Sequence, residues 1–127
     1  MLKKTIIKPE KSPAAIGPYN HAVRLGDLLF CSGQIPVDPK DGSLAGDGIR
    51  AQTEQVLQNV RSILDTQGLT FADVVKTTVF LTSLSDFIPM NEVYAKHFTK
   101  EFPARTTVQV AGLPKGAKLE IEVVAHY

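Results

Sequence analysis

The stretch "ADVVKTTVFLTS", residues 72–83, decides the fold. It is rich in β-branched residues and almost continuously apolar, which is typical of a buried central strand. Segments with helical periodicity lie on either side of it, at residues 49–67 and 86–98. Strand-like segments lie towards both ends of the chain, so the order is strands, helix, strand, helix, strands. This order predicts an α+β fold, a two-layer domain in which two helices cover one face of a mixed sheet.

Both predicted helices carry signals for their ends and their buried faces. The first has one apolar stripe, formed by Val56, Leu57, Val60, Ile63 and Leu64. Gly68 is expected to cap its C-terminus. The second helix is expected to have Ser85 or Asp86 as its N-cap and Pro89 in its first turn. Its core-facing side chains are predicted to be Phe87, Met90, Tyr94 and Phe98.

The remaining segments predict short strands and one long loop. Residues 21–33 are typical of a β-hairpin, because Gly26-Asp27 separates two strand-like runs. Residues 36–48 are dense in Pro, Gly and Asp and predict a loop. Further strands are expected at residues 3–7, 104–110 and 118–126, the last two joined by the turn "AGLPKGA".

The bulk composition bounds the class of protein. A chain of 127 residues fits one domain, residues 1–127, and buries about two-thirds of its unfolded surface. With 43% hydrophobic and 21% charged residues, the composition is that of a globular protein and excludes extensive disorder. A net charge of +1 argues against partners that need a large positive field, such as long duplex DNA.

The cellular location is predicted from the single cysteine and the N-terminus. Cys31 cannot form an internal disulfide, which favours a reducing compartment. The N-terminal "MLKKTIIKPEKS" lacks the apolar core of a secretory signal, and no segment approaches the ~20 apolar residues of a membrane helix. We therefore expect a cytoplasmic protein with no membrane partner.

Two polar strand faces are the first candidates for a functional site. Arg105, Thr107 and Gln109 alternate with apolar residues in one strand, and Glu120 and Glu122 do so in the last strand. If these strands pair as a hairpin, Arg105 and Glu120 both project from the sheet face opposite the helices. Two interpretations stay open at this point. Either the face carries solvated charges, or Arg105 holds an anion in a cleft and a carboxylate moves protons.

Other candidates stand in loops and on the second helix. Gly33 ends an apolar strand and permits close backbone approach, so that its N–H, with the Ser32 hydroxyl beside it, can meet a ligand oxygen. Each candidate also has an ordinary structural explanation. The Ser32-Gly33 pair fits a turn after a strand, Tyr19 fits the core or its rim, and Asn91 fits an exposed helix face.

Metal and phosphate sites have little support. His21, His97, His126 and Cys31 show no metal-ligand spacing. The glycine-rich "GSLAGDG", residues 42–48, lacks the Gly-Lys-Ser/Thr ending of a phosphate loop. The chain has no Trp and only scattered Tyr and Phe, so nucleic-acid binding by stacked bases is not expected either. We therefore predict no metal and no nucleic-acid partner.

The segments taken together resemble a known family. The matching stretches are "PAAIGPYNHAV" (13–23), "SGQIPVDPKDG" (32–42), "VVKTTVFL" (74–81), "FPARTTVQVAGLP" (102–114) and "KLEIEVVA" (118–125). In order and spacing they are similar to the Rid family, also called YjgF, and within it to the RidA branch of imine and enamine deaminases. No single stretch is decisive, but their joint occurrence is specific.

The resemblance implies a fold, an assembly and an activity. It implies a chorismate-mutase-like α+β fold and a homotrimer with a central barrel-like core and active sites between subunits. It also implies hydrolysis of 2-iminoacids such as 2-iminobutanoate and 2-iminopropanoate, or of enamines such as 2-aminoacrylate, to 2-oxoacids and ammonia. Enzymes that use pyridoxal phosphate release these intermediates. The implied reaction needs no cofactor and no metal.

The resemblance also assigns roles to residues. Arg105 would bind the substrate carboxylate, and Glu120 would orient or activate the attacking water. The other implied cleft residues are Tyr19, Ser32, Gly33 and Asn91, and Thr107 is expected at the site where many RidA proteins have Cys. Alternatives left open are a non-catalytic module that binds small carboxylates or a protein, and a ribonuclease or translation inhibitor.

Overall fold

The computed structural model describes residues 2–10 and 15–127, so residues 13 and 14 of the first matching stretch lie outside it. Within the described residues, six strands form one sheet and two α-helices are present. The strands are β1 (Thr5–Ile7), β2 (Ala22–Leu25), β3 (Leu28–Gln34), β4 (Val74–Leu81), β5 (Ala104–Gln109) and β6 (Leu119–His126). The helices are α1 (Ile49–Thr66) and α2 (Phe87–His97).

The strand order across the sheet is β1-β2-β3-β6-β4-β5. Only β4 and β5 are parallel, and every other neighbouring pair in this sheet is antiparallel. The predicted hairpin between residues 104–110 and 118–126 is wrong, because β4 lies between these two strands. The physical reason is α2, which carries the chain from β4 back to a parallel neighbour at the sheet edge. The last strand then inserts between β3 and β4.

The core lies between the sheet and the two helices. All five residues of the predicted α1 stripe are fully buried, and Gly68 has the left-handed φ of +69° just after the helix end at Gln67. On α2, Met90, Tyr94 and Phe98 are buried as predicted, whereas Phe87 is 37% exposed. Opposite the helices, the sheet contributes the fully buried Leu29, Val79, Leu81, Leu119 and Ile121.

The other face of the sheet is uncovered in the isolated chain and carries an apolar patch beside the charged residues Lys76, Glu120 and Glu122. Phe30 and Val108 on this face are 42% and 38% exposed. Their neighbours Phe80 and Val124 are half-buried. For this reason β4 is buried on one side only, and the expectation of a strand buried throughout holds for its helix-facing residues alone. An exposed apolar patch of this kind on a sheet is typical of an association surface.

Neither helix in the described part of the chain combines the length and the apolar character that crossing a membrane requires.

Candidate active site

Arg105 and Glu120 lie on opposite faces of the sheet. In the parallel register Arg105 pairs with Thr77, whose hydroxyl lies 2.9 Å from the Tyr94 hydroxyl on the helix-covered side. Glu120 pairs with Phe80 and therefore projects from the uncovered face. The expectation that both side chains share the face opposite the helices is wrong. It followed from the hairpin pairing, and placing β4 between the two strands puts Arg105 on the other side.

We call the first cluster the arginine half-site; it comprises Arg105, Asn91, Tyr94, Phe87 and Thr107. The Arg105 guanidinium carbon lies 4.8 Å from the Tyr94 ring centroid and 5.6 Å from that of Phe87. These distances are within the range of cation–π attraction. The side chain is half-buried, and it belongs to neither of the two ion pairs found among residues 2–10 and 15–127. The two aromatic rings therefore orient its planar guanidinium group, whose N–H donors can bind an anion.

The arginine half-site borders a cavity of about 340 Å³. Its lining includes Asn91, Tyr94, Phe98, Phe102 and Arg105. The Asn91 Oδ1 and Thr107 Oγ1 atoms are buried and have no hydrogen-bond partner within the described chain. A buried polar atom without a partner costs about 1–3 kcal/mol. Such a cost is usually retained where a ligand or another chain supplies the partner.

Tyr94 stays neutral beside the guanidinium. Burial raises the pKa of its hydroxyl, while the hydrogen bond with Thr77 and the positive charge of Arg105 act in the opposite direction. A neutral phenol presents its ring face to the guanidinium, and it forms no ion pair that would neutralise the positive charge of Arg105. The sequence prediction missed the aromatic support from Tyr94 and Phe87. Their spacing of seven residues on α2 places both rings towards β5.

We call the second cluster the glutamate half-site; it comprises Glu120, Gly33, Ser32, Tyr19 and His21. The Glu120 side chain lies directly over Gly33. A methyl group added at Gly33 would stand 2.7 Å from Glu120 Cδ and 2.8 Å from its Oε2, so any other residue here would displace the Glu120 side chain. The β3–β6 register shifts between Cys31 and Gln34, which is where this approach occurs. The group that approaches Gly33 in this structure is the Glu120 side chain. The approach of a ligand oxygen to the Gly33 N–H stays a prediction.

The surroundings of Glu120 raise the pKa of its carboxyl group. Burial raises the pKa of the carboxyl, and the negative charge of Glu122 raises it further. A carboxylate whose pKa lies above its ordinary value is a better proton acceptor near neutral pH. The shift therefore suits a group that takes a proton from water and later returns it.

Ser32 and Tyr19 complete the glutamate half-site in different ways. The Ser32 hydroxyl donates to the Asn20 carbonyl at 2.6 Å, and the Ser32 N–H donates to the His21 carbonyl at 2.8 Å. Ser32 thus fixes the segment that precedes β2, and its hydroxyl proton is already engaged. Tyr19 is 46% exposed and lines a cavity of about 370 Å³ together with His21 and Gly33. Sequence reasoning had considered His21 only as a metal ligand.

Across the described residues, no group of three or more His, Cys, Asp and Glu side chains is arranged to hold a metal ion. The chemistry available to the two half-sites is anion binding on one side of the sheet and proton transfer on the other.

Comparison with known proteins identifies the family. The sequence model of the family described as Endoribonuclease L-PSP matches residues 9–127. The chain belongs to this family, the Rid family. Its sheet and two helices have the Rid fold, because the Escherichia coli structure described as TdcF with bound serine superposes with a TM-score of 0.92. That structure is 45% identical in sequence and is aligned over 97% of this chain and 98% of its own.

Two Rid relatives carry the name of an enzyme. The 2-iminobutanoate/2-iminopropanoate deaminase of Salmonella typhimurium is 50% identical over 127 residues, covering 98% of each chain. The human protein of the same name is 45% identical over 124 residues, covering 98% of this chain and 90% of its own. The resemblance seen in the sequence is thereby confirmed at the level of the family, some of whose members are named imine deaminases.

Proposed function

We propose that this Rid protein hydrolyses reactive 2-iminoacids and their enamine tautomers to 2-oxoacids and ammonia. Its substrates would be 2-aminoacrylate, 2-iminobutanoate and 2-iminopropanoate released by enzymes that use pyridoxal phosphate. The observation that carries the proposal is Arg105. It is a half-buried cation on an aromatic support, without an ion-pair partner in the described chain, in a protein half identical to a named deaminase. A planar guanidinium of this kind suits a substrate carboxylate.

The active site would be shared between subunits of a homotrimer. One chain cannot present Arg105 and Glu120 to the same small substrate, since the two side chains leave opposite faces of one sheet. A neighbouring chain can, if its glutamate half-site meets the arginine half-site of the first. The uncovered apolar face around Phe30 and Val108 supplies a surface for such association, and three such faces would form the barrel-like core. Closed cyclic symmetry then gives three identical sites.

The reaction follows from these positions. Arg105 binds the carboxylate of the protonated imine, which leaves the C2 carbon exposed to a water on the Glu120 side. As the water oxygen bonds to C2, Glu120 takes a proton from it, and the electrons of the C=N double bond move to nitrogen. Glu120 then gives that proton to nitrogen and takes the hydroxyl proton as ammonia leaves and the C=O bond forms. It passes this second proton to the departing ammonia, so the products are the 2-oxoacid and ammonium and the Glu120 carboxylate is regenerated. An enamine enters the same sequence after protonation at C3.

The rate enhancements expected from these groups suit a reaction that needs little catalytic assistance. Fixing the carboxylate and the water in a reactive geometry removes part of the entropic barrier. A positioned general base adds a factor of roughly 10²–10⁴ in rate. No covalent nucleophile is required, and Thr107 replaces the thiol that many RidA proteins carry without loss of any step above. Asn91 and Thr107 would offer their unpartnered oxygens to the ligand or to the neighbouring chain.

A coupled assay tests the proposal. A serine/threonine dehydratase generates iminoacids in the presence of semicarbazide, and the Rid protein competes by hydrolysing them. We expect the wild type to suppress semicarbazone formation and Arg105→Ala to lose this activity by about 10²-fold or more, since a charge-assisted contact to the substrate disappears. Arg50→Ala is the matched control, because Arg50 forms only an exposed ion pair with Glu92 at 3.1 Å.

The enzyme assignment is wrong if the wild type suppresses semicarbazone formation no better than Arg105→Ala. A second candidate, a non-catalytic module for small carboxylates, would need the arginine half-site alone. It predicts that 2-oxoacids bind to wild type and to Glu120→Gln alike while neither protein turns over iminoacids. The deaminase predicts the same binding with turnover in the wild type only. RNA cleavage, which the family description names, is measured on the same preparations.

A further inference from the structure

His21 is a polar residue of the glutamate half-site that the reaction described above does not use. It stands immediately before β2 and lines the cavity of about 370 Å³ with Tyr19 and Gly33. Its ring meets the Tyr19 ring edge-on, with centroids 6.3 Å apart and planes at 77°. Gly33, on the same cavity wall, is the residue over which the Glu120 carboxylate lies. Gly33 therefore links the two residues, because it lines the cavity beside His21 and also contacts the proposed proton acceptor.

Gln34 fixes which ring nitrogen of His21 carries the proton. Gln34 is 3% exposed, and its amide nitrogen donates to the Ser32 carbonyl at 3.1 Å and lies 3.4 Å from His21 Nδ1. An amide NH₂ has two hydrogens, so it can donate to both acceptors. The flipped amide would set its oxygen against the Ser32 carbonyl oxygen, which is repulsive. Nδ1 is thus an acceptor, and in the neutral ring the hydrogen is on Nε2.

The Nε2–H of His21 has no acceptor inside the described part of the chain. The Nε2 atom is buried and without a hydrogen-bond partner there. Two other charged groups that line the cavity make local contacts: Lys115 Nζ donates to the Gly42 carbonyl at 3.0 Å, and the Asp41 carboxylate accepts from Ser43 N at 2.9 Å. Lys40 lines the same cavity. A buried N–H left without an acceptor costs free energy, and an acceptor oxygen supplied from outside the chain would remove that cost.

We propose that His21 binds the oxygen atom that adds to C2 of the substrate. Its Nε2–H donates a hydrogen bond to that oxygen as the attacking water, as the hydroxyl of the tetrahedral intermediate and as the oxo group of the 2-oxoacid product. The inference rests on the proposed function and extends it. A donor at this place matches an oxygen at C2, whereas the ammonium group of an amino acid has no lone pair to offer. His21 is therefore a determinant of selectivity for 2-oxoacids over 2-amino acids.

The test compares two variants of His21 by calorimetry with 2-oxobutanoate and 2-aminobutanoate. His21→Phe keeps a planar ring and removes the donor, while His21→Gln keeps an N–H near the same place. We expect His21→Phe to weaken 2-oxobutanoate binding about tenfold and to change 2-aminobutanoate binding less than about twofold. His21→Gln is expected to stay within about threefold of wild type for both ligands. Arg50→Ala, which removes only an exposed ion pair with Glu92, is the control and should match wild type.

The coupled assay completes the test. His21→Phe should lower kcat/KM for iminoacid hydrolysis about tenfold, with His21→Gln close to wild type. The proposal for His21 is overturned if His21→Phe retains wild-type affinity for 2-oxobutanoate, or if both ligands weaken equally in it, which is what a structural role would give. Equal losses in His21→Gln and His21→Phe also overturn it. If the wild type binds no 2-oxobutanoate and Arg105→Ala leaves turnover unchanged, the proposed function falls together with it.

Discussion

The arginine half-site and the glutamate half-site are built in different ways. In the first, a cation is held by the faces of two aromatic rings on α2, and the acceptor oxygens around it lack partners within the described chain. In the second, a carboxylate is pressed against the backbone of a glycine where the β3–β6 register shifts. One half-site is suited to holding charge, and the other is suited to moving a proton.

The sheet between them keeps the two charges apart within a chain. An ion pair between Arg105 and Glu120 within one chain would occupy the guanidinium fork and lower the pKa of the carboxyl. The observed placement avoids both effects, because Glu120 has Glu122 as its charged neighbour and its pKa is raised. The proposed function then requires the half-sites of two different chains to meet. Three predictions test this contrast, starting with the largest effect.

Mixing two inactive variants should restore activity. Arg105→Ala and Glu120→Gln are unfolded together at equal amounts and refolded, so that trimers contain both chains. If each site takes its arginine from one chain and its glutamate from the next, about one site in four is intact, and activity recovers to about a quarter of wild type. The measurement is the semicarbazide assay, with affinity-tagged subunits to show that mixed trimers formed.

Each variant refolded alone is the control for the mixing experiment and should remain inactive. If mixed trimers form and stay as inactive as their parents, both residues serve the same site from one chain. The shared site would then be wrong, whatever the oligomeric state.

Gly33→Ala should damage activity far more than stability. The added Cβ would overlap the end of the Glu120 side chain, which can swing aside, and Gly33 does not have the left-handed backbone that penalises other residues. Displacing a reacting group by about 1 Å costs up to ~10² in rate, so we expect kcat/KM to fall by roughly 10- to 100-fold. The melting temperature should change by no more than a few degrees.

Gly112→Ala is the matched control for Gly33→Ala, because a Cβ at Gly112 would meet no atom within 4 Å. In a Glu120→Gln background, Gly33→Ala should cost little further activity, since both changes disable the same group. Full additivity of the two losses would show that Gly33 acts on something other than Glu120.

The pH dependence should report Glu120. The reaction needs its carboxylate form, so kcat/KM should fall about tenfold per pH unit below its pKa, and the midpoint should lie above the ordinary value for an exposed glutamate. Glu122→Gln removes the negative charge that helps to raise this pKa, and the acidic limb should move to lower pH by a fraction of a unit. Glu92→Gln, at an exposed site, should leave the limb in place.

Much of the fold was predictable because it depends on local pattern. The stripe of α1 and the glycine after it gave that helix to within a residue of its end, 49–67 predicted against Ile49–Thr66. The Gly26-Asp27 turn likewise placed the hairpin of β2 and β3. Strand pairing is not local. Nothing between residues 104 and 126 signals that β4 separates the last two strands, so the predicted register and the predicted face of Arg105 were both wrong.

The residues of the candidate site also fall into those that the sequence could name and those that depend on non-local contacts. Arg105, Glu120 and Gly33 could be named from the resemblance, and the space that Gly33 leaves for a close approach followed from its residue type. The rings that orient Arg105 depend on how α2 packs on β5, and the donor at His21 depends on the buried amide of Gln34. These are contacts between segments far apart in the chain, which no spacing pattern records.

Cys31 is the single thiol of this chain, and its rate of chemical labelling reports how often the surrounding structure opens. The sulfur lies under the helices at 5% exposure, and burial raises its pKa to about 12, so the nucleophilic thiolate is almost absent at neutral pH. Electrophiles in solution therefore find no reactive thiol on this chain while β3 stays packed. The rate at which an alkylating reagent labels Cys31 measures how often that strand parts from the layer above it.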